Sequence, residues 1–157
     1  MFEVLVYMFE NYIDTQFRPD QPTLSKELFA AGFDENDING AFNWFSQLEV
    51  LSSDASASHF SNNASTRIFT ELELKKITGQ AIGFVLFLEQ TKILNTQQRE
   101  FIFELAMNLP QLSITVEEMR WIVLMMTWSG RKKGQDKTKD YLFIEDALLN
   151  REHITLH

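Results

Sequence analysis

Cysteine is absent from the 157 residues, and glycine (six), proline (three) and histidine (three) are sparse. Without a thiol there is no disulfide framework, no thiolate metal site and no cysteine nucleophile. The same absence suits a reducing compartment. The scattered glycines form no phosphate-cradling loop. Long apolar runs are missing too. The charge-free apolar stretches at 81–88 and 121–128 fall far short of the roughly 18 residues that a membrane span needs. The opening residues lack a basic region and carry Glu3, unlike a secretory signal. The expectation is a cytoplasmic protein with no membrane span. A hydrophobic fraction of 45% supplies enough side chains for a folded core.

Charge is abundant but unevenly placed. Residues 1–65 hold ten acids and two bases, whereas residues 66–157 hold twelve of each, so the net charge of −8 belongs to the first part of the chain. An acidic surface repels nucleic-acid phosphates and favours a basic protein partner. Asp34, Glu35, Asp37 and Glu49 are the candidate acidic partner face. A plain solvated surface explains the same acids. The second part carries one basic cluster, Arg131, Lys132, Lys133, Lys137 and Lys139, a candidate nucleic-acid contact. Cations beyond a helix C-terminus also suit the helix dipole.

Periodicity predicts helices almost throughout. Phe2, Leu5, Val6, Phe9 and Ile13 form one face of a helix over 2–13. Pro22 suits the first turn of a second helix ending near Ala31, with Gly32 at its C′ position. Asp34 caps a third, which carries Ile38, Phe42 and Phe45 and a Gly40 suited to a close crossing. Residues 52–66 include six serines and read as a flexible loop. Thr70 with Glu73, and Thr115 with Glu118, read as capping boxes, and Asn95 with Gln98 starts a further helix. The stretch 80–94 is apolar nearly all round at its centre, which predicts a helix buried in the core. Met119, Ile122, Val123 and Met126 mark the stripe of a helix to Ser129, and a last helix is expected over about 138–150. Short strands at 67–69 and 112–114 are expected to pair. The expected class is all-α, a bundle of seven or eight helices with at most one tiny β pairing. Residues 1–51 form an acidic three-helix part and 67–157 a C-terminal helical part, together one compact unit.

Candidate chemistry is thin. His59 lies in the Ser-rich stretch beside Ser58 and Ser61, a poor setting for the rigid constellation that a nucleophilic serine needs. His153 and His157 have zinc-like spacing, but His157 is the final residue. Adjacent acids such as Glu117 and Glu118 point to different sides of a helix. No catalytic residue, cofactor or metal is expected, and the chain reads as a non-enzyme. The fourteen Phe and three Trp exceed what a small bundle hides comfortably, so an apolar patch that meets another protein is expected.

The segments MFEVLVYMFENYI (1–13), AAGFDENDINGAFNWFSQL (30–48), RIFTELELKKI (67–77), GFVLFLEQTKILNTQQREFIFELAMNL (83–109), ITVEEMRWIVLMM (114–126) and the terminal LH, taken together and in order, resemble the Smg family of small bacterial proteins. The stretches 83–94 and 114–126 carry most of the resemblance. It implies no catalytic residues. It does imply, by association, a link to DNA or translation housekeeping. The expected function is a protein-interaction module. The alternative is a nucleic-acid-binding accessory protein using residues 131–139.

Overall fold

Helix α1 (Phe2–Tyr12) is followed by α2 (Gln21–Ala30), α3 (Glu35–Ala57), α4 (Glu71–Lys76), α5 (Gly79–Gln90), α6 (Thr96–Met107) and α7 (Val116–Ser129). The structure, a computed structural model, describes residues 1–12, 20–57 and 67–129. Over these residues the protein is all-α, seven helices packed together with no strand. The eighth helix expected near 138–150 lies outside them.

The local signals decide most helix ends. Gly32 has φ +98°, and the N–H groups of Gly32 and Phe33 donate to the carbonyls of Phe29 and Leu28, closing α2 in a Schellman motif. Asp34 accepts from the Asn36 N–H at the start of α3. Thr70 and Glu73 form a complete capping box on α4, as do Asn95 and Gln98 on α6. At α7 only half of the expected box forms. The Glu118 carboxylate accepts from the Thr115 N–H at 2.8 Å, and the Thr115 hydroxyl also donates to that carboxylate.

Three expectations are corrected. First, the Ser-rich loop does not begin at Ser52, because α3 continues to Ala57. Ser52 is buried and its hydroxyl donates to Met126 Sδ at 3.3 Å, so α7 supplies the packing that residue composition conceals. Second, the helix expected to reach 94 stops at Gln90, where Lys92 (φ 62°) turns the chain in a second Schellman motif. This helix is not buried all round, since Phe87 remains 53% exposed. The helix enclosed on nearly every side is α7, where Met119, Ile122, Val123, Leu124, Met125 and Met126 are all buried. Third, Ile68 and Phe69 do not pair with 112–114. Ile77 forms an isolated parallel bridge with Ile114 instead. Its hydrogen bonds run from Ile114 N to Lys76 O at 2.7 Å and from Thr78 N to Ile114 O at 3.0 Å. Both bridge residues are buried where α4 gives way to α5 and the chain enters α7, so the pairing satisfies backbone groups that no helix could reach.

One core runs through the described helices. α3 packs on α1, α2, α6 and α7, and α5 packs on α6 and α7. Leu5, Leu28, Ile38, Leu48, Ile102 and Leu105 are among its fully enclosed side chains. The close neighbour of Gly40 is the Met1 side chain rather than the backbone of a crossing helix. A Cβ there would lie 2.9 Å from Met1 Sδ, so the chain start rests directly on α3. Trp44 joins helices by chemistry as well as by area. Its Nε1–H donates to Leu105 O at 3.0 Å, one of the carbonyls left over in the last turn of α6. Lys76 Nζ donates to two further carbonyls there, Met107 O at 2.7 Å and Leu109 O. The α6 terminus is thus capped by side chains from α3 and α4, with the cation placed where the helix dipole favours it.

Candidate functional site

The densest polar cluster among the described residues gathers Arg67, Glu73, Glu89, Arg99 and Glu100. The stretch before α4 supplies Arg67, α4 itself Glu73, the end of α5 Glu89, and the first turns of α6 Arg99 and Glu100. Arg67 grips Glu73 through both terminal nitrogens, at 2.7 and 3.0 Å, and its Nε donates to Glu100 Oε1 at 2.6 Å. Its guanidinium lies 4.6 Å from the ring centre of Phe69 and 4.7 Å from that of Phe103, two rings in edge-to-face contact. Glu73 has a double role. The carboxylate oxygen that meets Arg67 also accepts from the Thr70 N–H, so the α4 capping box and the ion pair share an acceptor.

Arg99 is 4% exposed. Its Nη1 sits 2.8–2.9 Å from the two oxygens of Glu89, and its Nη2 and Nε reach Glu100 Oε1 at 2.8 and 3.2 Å. Glu100 therefore bridges two guanidinium groups. The hydrogen bonds from Arg67 hold the Glu73 carboxyl below the usual carboxylate range despite partial burial. Burial pushes the Glu100 carboxyl upward, but the bonds from Arg67 and Arg99 outweigh it and the net direction is down. Arg67 is held above the ordinary arginine range, chiefly by Glu73. Every charge in the cluster is met by an opposite one. Such an arrangement ties α4, α5 and α6 together. Among the described residues no group of three or more His, Asp or Glu is placed to hold a metal ion. No helix of the described residues is long and apolar enough to cross a membrane.

The acidic residues singled out in sequence are spread along α3. Asp34 is engaged at the helix start, and Asp37 pairs with the N-terminal ammonium of Met1 at 3.1 Å. Glu35 is exposed and lines a groove between α2 and α3. Glu49, also exposed, stands about 21 Å further along the helix from Glu35 by the rise per residue. The four do not converge on one point. The basic cluster Arg131, Lys132, Lys133, Lys137 and Lys139 lies outside the described residues, as do Ser58, His59, Ser61, His153 and His157.

Sequence reasoning missed the arginine cluster. One signal was present: Arg99 stands three residues before Ile102 on the face that continues to Leu105, Ala106 and Leu109, a charge in register with a buried stripe. Its partners, one distant in sequence and one adjacent, carry no such mark. Apolar side chains are also left outside. Phe29 is 69%, Ile68 88%, Leu72 70% and Leu112 94% exposed.

Comparison with known proteins places the chain in a family but adds no chemistry. A family model described as a protein of unknown function (DUF494) matches residues 1–157. A "Protein Smg homolog" of Methylobacillus flagellatus is 52% identical over the whole of both chains. "Protein Smg" of Pectobacterium carotovorum is 36% identical, covering 91% of this chain and 95% of its own length. A Shewanella homologue (strain ANA-3) is 34% identical, with 91% and 94% covered. No solved structure matches the chain. Similarity over the full length of the chain makes it a member of the Smg family (DUF494).

Proposed function

We propose that the protein works by binding another protein rather than by catalysis, as an adaptor or regulatory module. The observation that carries this reading is the set of large apolar side chains left in solvent, Phe29, Ile68, Leu72 and Leu112. Single exposed apolar residues are ordinary. Ile68 and Leu112 are different in degree, since they contribute almost nothing to the core yet are large and apolar. The acidic excess of residues 1–65 supports a basic partner, with steering by charge and affinity from apolar contact. The family resemblance supports a setting in DNA or translation housekeeping.

The test is affinity capture of the tagged full chain from its own cells, with and without nuclease, read by mass spectrometry. Wild type is compared with Phe29→Ser and with the pair Ile68→Ser/Leu112→Ser. The reading expects protein partners that survive nuclease and are depleted by one of these variants. Partners that vanish with nuclease would replace it by nucleic-acid binding through residues 131–139. Partners retained equally by all variants would remove the apolar surface from the argument.

A further inference from the structure

The groove between α2 and α3 has a volume of about 300 Å³ and is lined by Ser25, Lys26, Phe29, Ala30, Glu35 and Ile38. Ile38 is buried and forms its floor, while Phe29 stands at the rim with most of its ring in solvent. That volume lies at the bottom of the range for enclosed small-molecule sites, and this groove is open, so it suits an inserted apolar side chain. A helix lays such side chains into a groove between two others at three- and four-residue spacing.

Charge selects the occupant. Residues 1–12 and 20–57, which build α1, α2 and α3, carry nine acids against Lys26 as the one basic side chain. The N-terminal ammonium is already engaged with Asp37. Lys26 and Glu35 both line the groove, so its own wall is balanced, and the negative surface around it comes from the acidic excess of these helices. We infer that the α2–α3 groove docks a short basic amphipathic helix of a second protein. An apolar side chain of that helix packs over Ile38 against Phe29, and its lysines or arginines face Glu35 and the acidic surface beyond. The inference rests on the protein-binding reading above and names the partner's chemistry at one place.

The probe is a fluorescein-labelled helical peptide of about 14 residues, with leucines at i, i+3 and i+7 and lysine or arginine elsewhere. Its control has glutamate at every basic position. Binding to the full chain is followed by fluorescence anisotropy. The basic peptide is expected to bind, to weaken as salt is raised from about 50 to about 300 mM, and to lose about tenfold in affinity with either Phe29→Ser or Glu35→Lys. The acidic control is expected not to bind. Both altered side chains are exposed, and circular dichroism checks that each variant keeps its helices. Basic-peptide binding unchanged by Phe29→Ser would overturn the groove. Equal binding of the acidic control would overturn the charge argument. A concentration-dependent dimer in sedimentation that dissolves with Phe29→Ser would mean that a second copy covers the groove, and would also overturn it. If the peptide fails while capture still yields partners lost with Ile68→Ser/Leu112→Ser, the groove is wrong and the protein-binding reading stands. If no nuclease-resistant partner depends on any of these residues, that reading falls first.

Discussion

Replacing Arg99 with methionine is expected to destabilise the protein by about 2–3 kcal/mol. The side chain is 5% accessible, while Glu89 and Glu100 are 25% and 42% accessible. Removing one partner of a fully buried ion pair costs about 3–5 kcal/mol, because the remaining charge is stranded. Here water can reach part of each carboxylate, and Glu100 keeps its bond from Arg67, so the loss is smaller. Methionine refills the space of the arginine stem and limits any packing loss. For a chain of this length the midpoint of thermal unfolding should fall by roughly 5–10 °C. Urea unfolding followed by tryptophan fluorescence and far-ultraviolet dichroism measures the change, with the slope unaltered if the unfolding surface is the same. Glu89→Gln alone should cost about 1 kcal/mol, and the double variant should cost about 1 kcal/mol less than the sum, since both changes break one interaction. A loss below about 0.5 kcal/mol for Arg99→Met, or strict additivity in the cycle, would refute the idea that this cluster clamps α5 to α6.

Acid should loosen the same cluster. Glu73 and Glu100 titrate lower in the folded chain than when unfolded, so their contribution is complete above the ordinary carboxyl value of about 4.3 and disappears as pH falls through the folded values. Stability measured below about pH 4.5 should decline, and Arg67→Met should flatten that decline. Two turn positions should respond with opposite signs: Gly32→Ala forces a side chain into φ +98° and should cost about 1–2 kcal/mol, whereas Lys92→Gly relieves φ 62° and should gain about 0.5–1 kcal/mol, both read from urea midpoints. Lys76→Met leaves the Met107 and Leu109 carbonyls without their cation and should cost about 1–2 kcal/mol in the same assay.

Much of the helical framework is legible in the residues because its signals act over three or four positions. The capping boxes Thr70–Glu73 and Asn95–Gln98 and the glycine at 32 state where helices begin and end, and the stripe Met119, Ile122, Val123, Met126 states that α7 is buried. Composition misled where a tertiary contact overrode it. Ser52 looks like loop, yet the contact with Met126 keeps it in a helix. Residues 83–88 look like the centre of the core, yet α7 takes that place and leaves Phe87 outside. The acidic bias of the first part of the chain was countable from the start, but the groove that gives Glu35 an apolar neighbour required α2 to be folded against α3.

The sequence by itself determined the all-α class, the helix starts at Thr70 and Asn95, the turn at Gly32, and the excess of apolar side chains over what the core encloses. Only the tertiary structure decided that Arg67 and Arg99 share Glu100, that Trp44 and Lys76 cap the end of α6, and that Ile77 bridges Ile114. Each of these joins groups that lie far apart along the chain or on different elements. Local periodicity cannot encode such a pairing, because a buried polar group takes whichever partner the packing of the helices brings within reach.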